Sequence, residues 1–243
     1  MSLHHKYSAS GADRWLKCPG SIQLSENAPP EEESKYAMEG TKAHLALYLI
    51  LKAFLKNGRP RVAAAVMSDF YPAKLIEHAM ECFKRVEARL TPDAILLNES
   101  RVTVPGVGFG TLDVGIVEEF GELTIMDYKY GAGVAVEVED NIQLQYYAIG
   151  ACEDWHWSFE RVRLVIDQPR AYHSKGLVRE TMVSIGELQA MKKKLQEGVK
   201  KCEEPKPKLR AGDHCRWCKA ITICPEVNNL ALRSAQDDFK NLK

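Results

Sequence analysis

The chain has 243 residues, of which 45% are hydrophobic and 27% are charged. This composition is typical of an ordinary soluble globular protein, and at this length one core can bury enough apolar surface to fold without disulfide bonds. Lys+Arg and Asp+Glu both count 33, so any nucleic-acid surface must come from local charge asymmetry. No apolar run is long enough to span a bilayer or to form a secretory leader, and we therefore expect an intracellular protein.

The spacing of apolar and turn residues predicts a helix, a three-strand meander, a helix, a strand and a helix. Residues 1–35 show no regular pattern. A helix is predicted over about 36–56, ended by Gly58 and Pro60, and a second helical stretch over about 73–90. The later predicted ranges are strands at 95–104, 109–118 and 122–128, a helix at 141–155, a strand at 161–167 and a helix at 185–202.

Two carboxylates and a lysine fall on neighbouring strands of the predicted meander. Asp127 and Lys129 project from the same face of the third strand because strand side chains alternate, while Tyr128 points away. Asp113 lies on the second strand, close enough to share a site if the register is right. The sequence therefore predicts a convergence of two acids and one ammonium group on one part of the sheet.

This convergence suits phosphoryl chemistry. Carboxylates can hold Mg²⁺ or Mn²⁺, and a lysine can orient an attacking water or stabilise charge on a phosphate. An isolated Asp-x-Lys is more often a surface salt bridge near a strand end. Here the apolar residues Leu123, Ile125 and Met126 lead directly into Asp127, and an unpaired carboxylate buried there would cost several kcal/mol. The run therefore favours a functional pair.

Three of the seven cysteines are clustered near the end of the chain. Cys215-x-x-Cys218 and Cys224 supply three thiols within ten residues, and in a reducing compartment such thiols favour metal ligation over disulfide bonds. A fourth ligand must come from elsewhere. The candidates are Cys18, Cys82, Cys152, Cys202 and His214.

The order of these motifs resembles the PD-(D/E)xK nuclease superfamily. Gly110-x-x-Asp113 is followed by Asp127-x-Lys129 at the end of the next strand. Leu112 stands where the superfamily's name has proline, and Asp127 stands in place of the more frequent Glu. The RecB-like branch often lacks that proline, and the superfamily also accepts the Asp, so neither departure removes the resemblance.

Two further segments resemble the RecB-like branch in particular. Gly40-Thr41-x-x-His44 precedes the strands and Gln143-x-x-x-Tyr147 follows them, so that the resemblance covers about residues 40–150. It implies an α/β fold with a restriction-endonuclease-like core, in which helices flank a mixed central sheet.

The resemblance also implies a role for each matched residue. His44, Asp113 and Asp127 would be metal ligands, joined by the backbone carbonyl of Tyr128. Lys129 would be the catalytic lysine, and the two carboxylates would share in catalysis. Gln143 and Tyr147, one helical turn apart, would position the lysine or the DNA backbone.

The cysteines extend the resemblance to the whole chain. One cysteine before the core and three after it are similar to AddB-type and CRISPR-associated adaptation nucleases, and the segment Arg14-Trp15-x-x-Cys18-Pro19-Gly20-Ser21 resembles a phage-borne subgroup. The resemblance implies a [4Fe–4S] cluster, with a structural Zn²⁺ as the alternative. The implied ligands are Cys18, Cys215, Cys218 and Cys224. Such a site would join an N-terminal segment (1–35) to a C-terminal segment (203–243) around a nuclease core (36–202).

The sequence thus predicts a Mg²⁺- or Mn²⁺-dependent DNA nuclease, and an exonuclease rather than an endonuclease. It would act in phage or bacterial recombination, repair or DNA processing. Its partners would be DNA and recombination proteins. It would act in the bacterial cytoplasm and would not bind a membrane. One alternative is a non-catalytic DNA-binding or scaffold module that keeps the fold and cluster. Another is a nuclease acting on RNA, because no reader of a 2′-hydroxyl can be recognised. The oligomeric state stays open.

Overall fold

A five-stranded mixed sheet forms the centre of the fold in a computed structural model that describes residues 6–30, 34–118 and 121–240. The strands lie in the order β1-β2-β3-β4-β5, and every neighbouring pair is antiparallel except β3 and β4, which are parallel. Their bounds are Ile95–Val104 (β1), Gly108–Val117 (β2), Glu122–Tyr128 (β3), Arg161–Asp167 (β4) and Val178–Val183 (β5).

Helices cover both faces of this sheet. Within the described residues they are Ala12–Lys17 (α1), Ser21–Glu26 (α2), Lys35–Asn57 (α3), Pro60–Met67 (α4), Ala73–Glu87 (α5), Ile142–Asp154 (α6), Ile185–Cys202 (α7) and Pro225–Lys240 (α8). Two 3-10 turns, Asp213–Trp217 and Ile221–Ile223, lie between α7 and α8. Within the part of the chain that the structure describes, none of the helices combines the length and apolarity that crossing a membrane requires.

Two hydrophobic cores hold these layers together. One core packs α6, α7 and α1 against one side of the sheet and contains Leu112, Leu123 and Ile125. The other packs α3, α4 and α5 against the opposite side and contains Val114 and Met126. Since burial of a large apolar side chain contributes about 1.5–3 kcal/mol, these two cores fix the strands between rigid helical layers. The predicted mixed sheet flanked by helices is confirmed.

The N-terminal segment packs against the C-terminal part of the chain. The Trp15 side chain is fully buried, and Gly198 of α7 lets it approach closely, because a Cβ at that glycine would lie 2.8 Å from the Trp15 ring. The Gln23 side-chain amide donates to the backbone oxygen of Cys202, and the Gly20 N–H donates to that of Lys208. The two ends of the chain therefore meet beside α7.

Several elements differ from the sequence prediction. Residues 1–35 were predicted to be irregular, but α1 and α2 form there, because Trp15 finds its apolar partners in α7 rather than within its own segment. Gly58 ends α3 in the left-handed conformation, with a φ of 63°. Pro60 then begins α4, since proline is tolerated in the first helical turn. The edge strand β5 was missed as well, and it forms by pairing with β4.

Candidate active site

A cleft of about 890 Å³ opens at the end of the sheet where β2 and β3 part. The N-terminal half of α3 forms one wall, and Ser8 and Ser10, which precede α1, contribute to its lining together with β2 and the first turns of α6. His44, Asp113, Asp127, Lys129, Gln143 and Tyr147 all line this cleft. The structure therefore brings together the predicted catalytic and positioning side chains.

Asp113 lies where the ladder between β2 and β3 ends. Val114 is paired with Met126, and one step further Asp113 and Asp127 stand beside each other without a backbone pair. Asp113 Oδ2 accepts a hydrogen bond of 2.8 Å from the backbone N–H of Tyr128. Its carboxylate thus replaces the missing strand partner, and its other oxygen, Oδ1, lies 3.2 Å from His44 Nδ1.

Lys129 is held by a short chain of polar contacts. Its Nζ donates to Asp127 Oδ1 at 3.1 Å and to Gln143 Oε1 at 2.9 Å. Gln143 Nε2 in turn donates to the Tyr147 hydroxyl at 3.0 Å. The Asn141 side chain caps α6 by accepting from Leu144 N–H, which fixes the first turn that carries Gln143. The ammonium group is therefore oriented from two sides.

Glu99 is an acidic group of the cleft that sequence reasoning missed. It lies in β1 between Asn98 and Ser100, which pair with Val114 and Leu112, so its place is opposite Asp113. Its φ of 47° is unusual for a non-glycine residue in a strand. The observed turn has three residues, because Val104 pairs with Gly108, and this register places residue 99 opposite residue 113. The predicted two-residue turn at 105–106 would have placed residue 99 opposite residue 112, one residue away from that position.

The site concentrates negative charge in a buried place. Burial raises the pKa of Glu99 to about 7, and the nearby Asp113 charge acts in the same direction. Burial also raises the pKa of Asp127, although Lys129 opposes the shift. Burial alone would lower the pKa of His44, but the charge and hydrogen bond of Asp113 outweigh it and raise the pKa to about 9. Burial alone would raise the pKa of Asp113, but the charge and hydrogen bond of His44, together with Lys129, outweigh it and lower that pKa.

These donors fit a divalent cation. One ligand atom from each of His44, Glu99 and Asp113 lies within 4.8 Å of the other two. Asp127 Oδ2 is buried and makes no hydrogen bond, although Lys129 Nζ lies 2.9 Å away. Carboxylate oxygens with one imidazole suit Mg²⁺ or Mn²⁺, and a cation would offset the mutual repulsion of the acids. The Tyr128 side chain is buried in the core beneath α3, and a role for its carbonyl stays a prediction.

The four cysteines of the predicted second site line one small pocket. Cys18, from the end of α1, lies there with Cys215, Cys218 and Cys224. The Arg210 backbone N–H donates to Cys18 Sγ at 3.3 Å, and Arg14 Nη1 lies 4.0 Å from Cys218 Sγ.

The other candidate ligands fall into two groups. Cys82, Cys152 and Cys202 are buried in the hydrophobic cores. His214 lines the cysteine pocket but directs Nε2 to the backbone oxygen of Arg210, at 3.0 Å. Among the cysteines that could supply the fourth ligand, Cys18 is the one that the fold places beside Cys215, Cys218 and Cys224.

The chain belongs to the family described as "Protein of unknown function (DUF2800)", whose model matches residues 4–243. Two solved structures are similar. One is the crystal structure of SSO0001, with 16% identity, a TM-score of 0.36, and coverage of 88% of this chain and 95% of that one. The other is a "Putative exonuclease" from Eubacterium rectale, with 12% identity, a TM-score of 0.46, and coverage of 86% of each chain. At these scores the likeness assigns no activity to this chain.

Proposed function

We propose that this member of DUF2800 is a divalent-metal-dependent deoxyribonuclease that hydrolyses phosphodiester bonds in the cleft, as an exonuclease. The observation that carries the proposal is the convergence of His44, Asp113, Asp127 and Lys129 in one cleft. Buried carboxylates beside a lysine make a poor core but a good site for phosphoryl chemistry, because the charges match a metal ion and a phosphate.

The metal ion would be Mg²⁺ or Mn²⁺, held by His44, Asp113 and Asp127, with Glu99 and the Tyr128 carbonyl as further ligands. When bound, it would polarise the scissile phosphate and lower the pKa of a coordinated water. Glu99 enters this set because its carboxylate lies within 4.8 Å of the ligand atoms of His44 and Asp113.

The protein's own groups would orient the attack. Lys129 donates to Asp127 and to Gln143, so its remaining proton is directed by two fixed contacts. Its ammonium group would hold the attacking water or stabilise the charge that builds on the phosphate. Tyr147 supports Gln143 from the side away from the lysine and would act as a positioning residue.

Cleavage of end-labelled linear DNA in Mn²⁺ tests this proposal, with EDTA and labelled RNA as parallel arms. Lys129→Ala should reduce cleavage by at least 100-fold while the fold and DNA binding persist. Lys175→Ala is the matched control, because that lysine pairs with Glu139 on the surface. DNA binding without turnover in the wild type would favour the non-catalytic scaffold instead. Preferential cleavage of RNA would show that the substrate is RNA rather than DNA. Cleavage by Lys129→Ala at the wild-type rate would overturn the mechanism.

We further propose a [4Fe–4S] cluster at Cys18, Cys215, Cys218 and Cys224, with Zn²⁺ as the alternative. Four thiols from both ends of the chain in one pocket support a metal site of either kind. A single tetrahedral zinc, with Zn–S bonds of about 2.3 Å, would draw its four sulfurs to within about 4 Å of one another. A [4Fe–4S] cluster, which the resemblance favours, would hold its four thiolates further apart than a single zinc does.

The bound group would clamp the N-terminal segment to the C-terminal one and remove loop entropy from the unfolded chain. Anaerobic purification with an absorption spectrum and iron and zinc analysis tests its identity. Cys18→Ser should lose the metal and Cys152→Ala, a buried core thiol, should keep it. If the wild-type protein is colourless and contains zinc, the site binds Zn²⁺ rather than an iron–sulfur cluster. The nuclease proposal does not depend on this result.

The cellular setting is a proposal from the resemblance alone. It would be phage or bacterial recombination, repair or DNA processing in the cytoplasm, with recombination proteins as possible partners.

A further inference from the structure

Trp217 is a large aromatic side chain that the fold leaves in solvent. It is 76% exposed, whereas Trp15 is fully buried. It lies in the 3-10 turn Asp213–Trp217, between Cys215 and Cys218. The guanidinium of Arg216 stands 5.1 Å from the centre of its ring. Phe70 is exposed to the same extent, so exposure alone does not distinguish Trp217; the guanidinium beside its ring does.

The surroundings of this ring are basic, although the whole chain is neutral. Residues 206–219 contain five Lys or Arg and one Asp. Arg210, Arg216 and Lys219 are exposed, as is Trp217. Cations and an aromatic ring on one exposed segment match the two parts of an unpaired nucleotide, a phosphate and a base. An anionic strand complements this surface better than an apolar protein face does.

The basic turn is connected to the candidate active site through the segment that begins α1. Ser8 and Ser10, which precede that helix, line the catalytic cleft. Arg14, only four residues further along, reaches within 4.0 Å of Cys218 Sγ. The same short segment thus contacts the cleft at one end and the turn that carries Trp217 at the other.

We propose that Trp217, with Arg210, Arg216 and Lys219, binds single-stranded DNA outside the cleft. One base stacks on the indole, and the cations contact the flanking phosphates. The ligand is single-stranded because a paired base offers no open face to an exposed ring. This inference rests on the proposed function for the identity of the polymer, and it adds a second contact region that the catalytic residues do not supply.

Binding of a fluorescein-labelled oligothymidylate, followed by anisotropy with Ca²⁺ in place of Mg²⁺, tests the surface. Stacking of one base contributes about 1–3 kcal/mol, so Trp217→Ala should weaken binding by roughly 5- to 150-fold. Arg216→Gln should weaken it less and reduce its salt dependence. Wild-type tryptophan fluorescence should be quenched on binding, and this change should disappear in Trp217→Ala.

Phe70→Ala and Arg61→Gln are the matched controls. Phe70 is 77% exposed, nearly the same as Trp217, and it follows α4, where Arg61 is also exposed. Both controls should bind the oligonucleotide as the wild type does. Metal content and thermal melting of each variant show whether the cysteine site is intact, and Arg216→Gln serves if Trp217→Ala loses its metal.

Three results would overturn the inference. They are unchanged affinity in the metal-loaded Trp217 and Arg216 variants, an equal loss in the Phe70 control, and an equal loss for duplex DNA. The test also separates this inference from the nuclease proposal. If an oligonucleotide binds through Trp217 but is never cut, the binding surface is supported and the catalytic assignment is wrong. If cleavage is normal and the Trp217 and Arg216 variants bind as the wild type does, the catalytic assignment is supported and the binding surface is wrong.

Discussion

Glu99 and Asp113 face each other across the β1–β2 hairpin, at the step between the pairs Asn98–Val114 and Ser100–Leu112. Glu99 takes a φ of 47° there. A non-glycine residue held in the left-handed region costs of order 1–3 kcal/mol, and such strain concentrates at functional sites. The strained residue is therefore Glu99, whose carboxylate lies close enough to Asp113 and His44 to bind the same metal ion.

Glu99→Gln should weaken divalent-metal binding by about tenfold or more, because it removes one anionic ligand and keeps the shape of the side chain. Titration of Mn²⁺ by electron paramagnetic resonance measures this directly. Glu87→Gln, on the exposed face of α5, is the control and should bind Mn²⁺ as the wild type does. Equal affinities in the wild type and Glu99→Gln would remove Glu99 from the ligand set.

Metal binding should release protons. In the metal-free protein the pKa of His44 is raised to about 9, so its imidazole is protonated at pH 7, whereas a metal ligand must be neutral. The apparent Mg²⁺ affinity should therefore rise by up to tenfold per pH unit from pH 7 to pH 9. Below pH 7 the slope should steepen, because the pKa of Glu99 is raised to about 7 and a second proton must leave.

Calorimetry of Mg²⁺ binding in buffers of different ionisation enthalpy counts these protons. In His44→Gln the slope above pH 7 should flatten, since no imidazolium is left to deprotonate. A wild-type affinity that is constant between pH 7 and pH 9 would contradict the role of His44 as a ligand.

The sequence predicted four of the five strands, because the signals that define them lie within each strand and its adjoining turn. The run before Asp127 and the turn at 105–106 define β3 and the β1–β2 hairpin without reference to the rest of the chain. The elements that were missed depend on distant partners. The α1 helix forms around Trp15, which packs on Gly198 of α7 about 180 residues later, and β5 forms only beside β4.

The candidate site divides in the same way. Asp113, Asp127 and Lys129 follow from strand spacing, and His44 follows from motif order. Glu99 was missed because no motif includes it and its importance depends on register. The proximity of Cys18 to the C-terminal cysteines also lay outside any local pattern, since the approach of α1 to the end of the chain creates it.

Two glycines of the cleft should respond in opposite ways to alanine. At Gly110 an added Cβ would lie 2.8 Å from Tyr147 Cε1, so Gly110→Ala should destabilise the fold by about 1–3 kcal/mol and displace Tyr147 from Gln143. At Gly40, in α3, nothing lies within 4 Å, and alanine favours the helix by about 1 kcal/mol.

Thermal melting distinguishes the two variants. A change of 1 kcal/mol moves the Tm of a chain of this size by about 2–4 °C, downward for Gly110→Ala and upward for Gly40→Ala. A raised Tm for Gly110→Ala would show that the ring of Tyr147 does not pack against that strand.

The contact between Gln143 and Lys129 should matter for turnover more than for substrate binding. Gln143→Leu removes the acceptor at 2.9 Å from Lys129 Nζ and leaves the hydrogen bond from the ammonium group to Asp127. We expect kcat to fall by roughly 10- to 100-fold with KM nearly unchanged, because the lysine is misdirected rather than lost. Tyr147→Phe removes only the outer contact and should cost less than tenfold.

Single-turnover cleavage across a range of pH tests this order of effects. A positioning role predicts that Gln143→Glu, which keeps an acceptor oxygen, recovers much of the rate that Gln143→Leu loses. Equal losses in both variants, together with a lowered Tm, would indicate a structural role instead.

Gly198 should control whether the N-terminal segment stays docked. A Cβ at this position would lie 2.4 Å from Leu16 Cδ2 and 2.8 Å from the Trp15 ring, so Gly198→Ala should weaken the packing of α1 on α7. Gly186→Ala, in the first turn of the same helix, is the matched control, because the nearest atom to its added Cβ lies 3.9 Å away.

Hydrogen exchange of residues 12–18 should accelerate in Gly198→Ala, by about tenfold for each 1.4 kcal/mol by which docking weakens, and should stay unchanged in Gly186→Ala. Because Cys18 ends α1, the same substitution should speed the loss of metal from the cysteine site to a chelator. Faster exchange with normal metal retention would show that Cys18 is not a ligand, whereas unchanged exchange would show that α7 adjusts to the added methyl group without releasing α1.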